Sequence, residues 1–151
     1  MEAIFAIDDG LGFGQANRLP WPTIKEDMDH FVQQTKNKTL IMGKRTFKSL
    51  PIKATEQRPF HVLSRLNHKD STPHLTYSSS LPNDGIIIGG ASLFNHTLFL
   101  EKCSRVYVTR VKGVFKADTK IQQESLDFLE AHFQKVLLQS TDKCTIWVYF
   151  K

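Results

Sequence analysis

Twice in this chain an apolar run ends in glycine and a helix-forming stretch begins at once: Leu40-Ile41-Met42-Gly43 before Lys44-Arg45-Thr46, and Ile86-Ile87-Ile88-Gly89-Gly90 before Ala91-Ser92-Leu93-Phe94. A strand that turns directly into a helix is the building unit of an α/β sheet, and unbroken apolar runs are what strands buried on both faces require. Counting every apolar run bounded by turn residues, strands are predicted at 3–7, 39–42, 60–63, 75–77, 86–88, 106–111, 133–139 and 144–150. A helix is predicted from the stripe Ile24, Met28, Phe31, Val32 and Thr35, with Thr23 and Glu26 in capping-box spacing behind Pro20 and Pro22. Two more are predicted at 43–50 and 90–100, and the last three strands are joined partly without helices. The expected fold is a single-domain three-layer α/β structure over residues 1–151. A mostly parallel, eight-stranded central sheet carries an antiparallel C-terminal strand and is flanked by helices.

The 151 residues, 40% hydrophobic and 23% charged, exclude disorder as the main state. Cys103 and Cys144 lack a CxxC partner, so neither a disulfide framework nor a zinc site is expected, and a reducing, cytoplasmic setting suits them. No run has the length of a membrane span. The net charge of +5 comes from scattered Lys and Arg without interleaved aromatics, which argues against nucleic acid as a partner.

Chemistry is suggested at three places. Asp27 falls on the margin of the apolar stripe of the first helix, one turn before Phe31, whereas Glu26 and Asp29 point away. A carboxylate at a buried margin is costly unless paired or protonated, although an acid near a helix start is also favoured by the macrodipole. The two strand–glycine–helix turns are candidate anion cradles, because glycine admits a ligand to the backbone and free amides attract phosphate. The first adds two cations and a hydroxyl, which a solvated basic helix start would equally explain. Leu63-Ser64-Arg65 ends a strand where open sheets face their ligand crevice. The run Gly10-Leu11-Gly12-Phe13-Gly14 fails the dinucleotide fingerprint, since Gln15 stands where the last glycine belongs. GxxxxGK[ST], HExxH and GxSxG are absent, and histidines 30, 61, 68, 74, 96 and 132 have no ligand spacing, so no metal is expected.

Read in order, Gly12-Phe13-Gly14, Asn17-Arg18-Leu19-Pro20-Trp21, Asp27-Met28, Phe31, Ile41-Met42-Gly43-Lys44-Arg45-Thr46-Phe47, Leu63-Ser64-Arg65, Ile88-Gly89-Gly90, Val106-Tyr107-Val108-Thr109 and Asp118-Thr119 resemble the dihydrofolate reductases over nearly the whole chain. The resemblance implies a cytoplasmic, monomeric enzyme that reduces 7,8-dihydrofolate to tetrahydrofolate with NADPH, supports one-carbon metabolism and thymidylate and purine synthesis, and is inhibited by antifolates. It implies that Asp27 is the single active-site carboxylate, gripping the pterin with Thr109 as its partner. Phe31 and Leu50 would wall the rings, with Ala6, Met28 and Val32 beside them. Ile4 and Ile88 would offer backbone carbonyls, and Arg58 would fork onto the glutamate tail. On the NADPH side it implies Gly43, Lys44, Arg45 and Thr46 at the pyrophosphate and ribose, and Leu63, Ser64 and Arg65 at the 2′-phosphate. Ile88, a cis Gly89-Gly90 peptide, Ala91, Ser92, Leu93 and Phe94 would lie along the opposite side. Ala6, Ile7 and the loop carrying Gly12, Gly14, Asn17, Arg18 and Leu19, with Trp21 after it, would close over the nicotinamide.

Two departures stand out. Phe94 replaces the tyrosine common at that position. The segment 78–85 is too short for the helix the family places there, so either the chain crosses tightly or the sheet is trimmed. The alternatives are a reductase of the same fold acting on a ribosylaminopyrimidine, and a binding module that has lost catalysis.

Overall fold

The computed structural model describes residues 1–65 and 72–151. His68 and part of the polar segment 64–74 lie outside the described residues. The strands are β1 (Glu2–Asp8), β2 (Gly12–Gly14), β3 (Leu40–Gly43), β4 (Phe60–Leu63), β5 (Leu75–Ser78), β6 (Ile86–Gly89), β7 (Arg105–Val111), β8 (Thr119–Lys120), β9 (Gln134–Ser140) and β10 (Cys144–Phe150). The helices are α1 (Lys25–Thr35), α2 (Lys44–Ser49), α3 (Ala91–Phe94), α4 (Thr97–Glu101) and α5 (Gln123–His132). Eight strands form one sheet in the order β5-β4-β3-β6-β1-β7-β10-β9, and β2 pairs with β8 in a second, two-stranded sheet. From β5 to β7 every pairing is parallel, and β10 runs antiparallel to both β7 and β9.

Alternate residues of the central strands feed two cores, as the two-residue period of a strand demands. Ala3, Phe5 and Ile7 of β1, Ile41, Ile87, Val106 and Val108 pack with Phe94, Leu100, Leu126 and Leu129 of α3, α4 and α5. On the other face Ile4, Leu40, Met42, Ile86 and Tyr107 pack with Phe31 of α1 and Phe47 of α2. The three expected layers result.

Three features differ from the sequence expectation, and a fourth decides an alternative it left open. The Thr23–Glu26 capping box does not form: Ile24 is the N-cap residue, with extended backbone and no side-chain cap. Ile24 is instead drawn into a small core with Trp21, Val111 and Ile146, and burial there outweighs the local cap. The helix expected over 90–100 is broken into α3 and α4, because Asn95 caps α3 with its amide while its side chain accepts from Gln122 N (2.7 Å) and donates to Lys120 O (3.2 Å). A helix not expected from the sequence, α5, buries Ser125, Leu126 and Leu129 between β8 and β9. Finally, the sheet is not trimmed at 78–85. Leu81 packs into the first core and His61 Nε2 bonds Ser80 O at 2.9 Å, so the chain returns to β6 as an extended crossover. Seven residues reach roughly 23 Å when extended, enough to recross the sheet without a helix.

Candidate active site

Asp27 lies in the first half of α1, facing the sheet at β7. Thr109, 1% exposed, donates its hydroxyl to Asp27 Oδ1 at 2.7 Å. The threonine is fixed by its neighbours in register, Ala6 of β1 on one side and Ile146 of β10 on the other. Burial pushes the Asp27 carboxyl above the ordinary carboxylate range, opposed by the Thr109 hydroxyl and, more weakly, by the charge of His30. The carboxylate is therefore sheltered without a cation bonded to it among the described residues, so its second oxygen remains available to a ligand. Trp21, 5% exposed and packed edge-on to Phe115 at 6.2 Å, carries a buried indole Nε1 without a partner among the described residues.

Phe31, Leu50 and Ile88 are only partly buried and pack on the core that contains Ile4. Met28 and Val32, one turn apart on α1, are 42% and 52% exposed. Large apolar side chains left open beside a sheltered carboxylate form the wall of a site for a flat, apolar ligand with one polar edge. Arg58 is clamped at the far end of the same helix: Nε donates to Thr35 Oγ1 (3.1 Å) and Nη2 to Val32 O (2.8 Å). Thr35 in turn donates to Phe31 O at 2.8 Å. Two of the five guanidinium protons are used in this way, which leaves the rest of a pre-aimed fork for an anion.

The basic end of the groove lies over β4, β3 and β6, adjacent parallel strands whose carboxyl ends come side by side. Gly43 faces open space, as a Cβ there would meet nothing within 4 Å. Lys44 and Arg45 open α2, and Thr46 reaches across to the neighbouring turn. A Cβ at Gly89 or at Gly90 would stand 3.2 Å from Thr46 Oγ1. Gly89 also has φ +152°, so side chains are excluded by backbone as well as by space. The Gly89–Gly90 peptide is cis. Ser64 and the exposed Arg65 follow β4, with the Ser64 amide donating to Ser78 O at 2.9 Å. After the glycines Ser92 is exposed and Leu93 half-buried, whereas Ala91 and Phe94 are buried. Phe94 is sealed between Phe5 (4.7 Å) and Phe13 (5.8 Å).

The loop between β1 and α1 is pinned near its start and at its middle. Asp8, 3% exposed, accepts from Gly10 N and Gly12 N through Oδ1 (2.8 Å each) and from Phe115 N through Oδ2 (2.9 Å). Asp118 Oδ2 accepts from Ala16 N at 2.9 Å, and its carboxyl is held below the usual range chiefly by that bond. Leu11, Ala16 and Asn17 adopt the left-handed region, and Gln15 and Arg18 form an isolated bridge, so the chain turns sharply on either side of the Ala16 contact. Leu19 is 45% exposed. Of the residues expected from the sequence, the structure brings Thr109 onto Asp27 and Thr46 beside the Gly89–Gly90 turn; no role was assigned to Asp8, His30 or Asp118. For Asp8 a signal existed: an acid two and four residues ahead of glycines is the pattern of an Asx turn. No group of three or more His, Cys, Asp or Glu side chains among the described residues could hold a metal.

A parallel sheet flanked on both faces, with its polar side chains gathered over the strand ends, defines an α/β protein that takes its ligands at those ends. The chain matches the dihydrofolate reductase family over residues 1–146 and belongs to it. It is 32% identical over 125 residues to the dihydrofolate reductase of Ureaplasma parvum, covering 78% of each chain. It is 29% identical over 141 residues to that of Mycoplasma genitalium, covering 84% of this chain and 86% of the relative. The structure of dihydrofolate reductase from Enterococcus faecalis complexed with NADP(H) and RAB-propyl shares the fold, with a TM-score of 0.77 at 20% identity over 99% of this chain and 94% of that one.

Proposed function

We propose that Asp27 is the anchor through which this chain carries out its family's reaction, the NADPH-dependent reduction of 7,8-dihydrofolate to 5,6,7,8-tetrahydrofolate. The observation that carries this reading is the sheltered carboxylate, bonded by Thr109 and, among the described residues, by no cation, at the head of an open apolar wall that ends in the clamped Arg58. The pterin edge would bridge the Asp27 oxygens, Phe31 and Leu50 would flank the rings, and Arg58 would take the tail carboxylate. Substrate N5 must gain a proton before C6 accepts hydride. Asp27 favours that protonated form through its negative charge, and the loop over residues 10–19 regulates the water that delivers the proton.

The residues over β3, β4 and β6 fit NADPH. Gly43 leaves space at the start of α2, Gly89 and Gly90 leave room only for backbone beside Thr46, and Lys44, Arg45 and Arg65 supply charge for phosphates. When bound there, NADPH supplies the hydride. Ser64 and Arg65 would hold its 2′-phosphate, and Thr46 with the amides of 91–93 its pyrophosphate. Phe94 would act from beneath, as a packing support for Phe13 and the loop, and not as a hydrogen-bonding side chain. The enzyme is further proposed to work as a cytoplasmic monomer without nucleic acid; no helix among the described residues is long and apolar enough to cross a membrane. An assay at 340 nm with NADPH and dihydrofolate tests the reading. Consumption of both is expected from the parent, with severe loss at neutral pH and a smaller loss in acid for Asp27→Asn. Equal turnover of the two proteins at pH 7 removes Asp27 from the mechanism.

A further inference from the structure

Besides the stripe that includes Met28, Phe31 and Val32, α1 carries a second one. Glu26, Asp29, His30, Gln33 and Gln34 follow the i, i+3, i+4, i+7, i+8 spacing of a single helix face, and every one of them is polar. Together with Leu138 and Gln139 of β9 and Ile146 of β10 they line a cavity of about 330 Å³. A helix leaning on a sheet ordinarily turns apolar side chains toward it, so a polar stripe beside Leu138 and Ile146 has polar groups to satisfy by other means.

Those groups are of one chemical kind. His30 is 8% exposed, yet its Nε2 has no hydrogen-bond partner among the described residues. The ring stands edge-on to Tyr107 at 5.4 Å, a contact that holds the imidazole without satisfying the nitrogen. Burial pushes its pKa below the ordinary imidazole range, so the ring is neutral, and with its proton on Nδ1 the Nε2 atom is an acceptor. Glu26 is half-buried and has no ion pair among the described residues, while Asp29 pairs with Lys25 at 3.4 Å out in solvent. In a chain of net charge +5, the described residues lining this cavity include two acids and no cation. Anions are therefore repelled. A metal does not fit either, since no three His, Cys, Asp or Glu side chains among the described residues converge to hold one. A hydrocarbon would leave the His30 nitrogen unbonded. A planar cation with several N–H donors on a short apolar body meets every demand: its donors face Glu26, His30 and the glutamine amides, and its body lies on Leu138 and Ile146. The volume is at the lower end of the range for small-molecule sites, roughly 300–1,000 Å³. We propose that the cavity between α1 and β9–β10 is a second ligand site, separate from Asp27 and from the basic groove, that takes a small guanidinium or amidinium compound.

The test is an NMR titration of the protein with butylguanidinium, followed at the side-chain amides of Gln33, Gln34 and Gln139 and at the His30 ring nitrogens. Butylurea, of the same shape without the charge, is the control. Saturable shifts at these groups are expected, with the Nε2 signal moving as it gains a hydrogen bond, and butylurea should bind about tenfold more weakly. Glu26→Gln should keep the NADPH-dependent turnover of dihydrofolate and weaken butylguanidinium by about threefold to tenfold. His30→Phe keeps the wall but removes the acceptor, and should weaken the probe as well; if that variant does not fold, the Nε2 shift in the parent decides the same point. No saturable shift, shifts at Asp27 and Thr109 in place of the cavity groups, equal affinity for butylurea, or parental affinity in Glu26→Gln each overturns the inference. None of these results depends on the role of Asp27 in the reaction.

Discussion

Replacing Asp27 by asparagine should make the ligand-free protein more stable at the same time as it disables it. The amide oxygen of an asparagine still accepts from Thr109 at the position where the carboxylate does so at 2.7 Å, so packing and the hydrogen bond persist while the buried charge disappears. Burial raises the native Asp27 pKa above its unfolded value. The folded state thus binds this proton more tightly than the unfolded chain, and above the native pKa the ionised group opposes folding. A buried polar group left short of full compensation costs about 1–3 kcal/mol, and with the Thr109 bond and His30 opposing the effect of burial, a gain at the lower end, on the order of 1 kcal/mol, is expected for Asp27→Asn at pH 8. For a chain of this size that raises the melting temperature by about 2–4 °C. Thermal melts of both proteins from pH 8 downward into acid would show a gap that closes as the pH falls through the native pKa and the parent carboxyl becomes neutral. An Asp27→Asn protein that melts at or below the parent at pH 8 would refute the argument that burial governs this group.

Three other perturbations follow from the geometry. Thr35→Val removes the Arg58 Nε bond of 3.1 Å without altering shape, so KM for dihydrofolate should rise about 2–10-fold with little change in kcat, the cost of one hydrogen bond. A substrate lacking the glutamate tail should be unaffected, and equal changes for both substrates would detach Arg58 from the tail. Asp118→Asn weakens the acceptor for Ala16 N, so amide exchange over residues 10–19 should quicken and turnover should fall; unchanged exchange would show that this carboxylate does not hold the loop. Raising salt should weaken NADPH binding through screening of Lys44, Arg45 and Arg65, whereas a salt-independent affinity would contradict a basic cradle.

The central strands of the main sheet were legible because strands covered on both faces write unbroken apolar runs, as Ile86-Ile87-Ile88 does, whereas the edge strand β9, exposed along its whole length, was legible only from its Val136-Leu137-Leu138 run. The β2–β8 pair was not, since three and two residues are too few to show a period. In α5 the apolar positions Leu126, Leu129 and Phe133 have helical spacing, but the acids and glutamines around them dilute the stripe. The capping box failed for a different reason. Local signals at Thr23 and Glu26 were present, yet the demand of the Trp21 core for Ile24 decided where the helix begins. Among site residues, those at strand ends beside glycines were readable from their chain neighbours. Asp8, His30 and Asp118 act on partners brought to them only by the finished fold, such as Phe115 for Asp8 and Tyr107 for His30.

The stripe of α1 shows why a helix wheel alone could not separate core from site. Ile24 and Thr35, at its two ends, are 5% and 0% exposed, while Met28 and Val32 between them remain 42% and 52% exposed on the same apolar pattern. Apolar periodicity records which residues must leave water, and a ligand can remove them from water as well as a sheet can. The helix therefore has two kinds of apolar section: its ends are satisfied by the protein, and its middle stays open to solvent, which on the proposed function is where a ring would sit. Asp27 and Arg58 mark the two polar limits of that open section, one bonded to Thr109 and the other clamped to Val32 O and Thr35. A substrate with an apolar middle, a hydrogen-bonding heterocycle at one end and a carboxylate at the other meets all three requirements at once, which is the chemical outline of dihydrofolate.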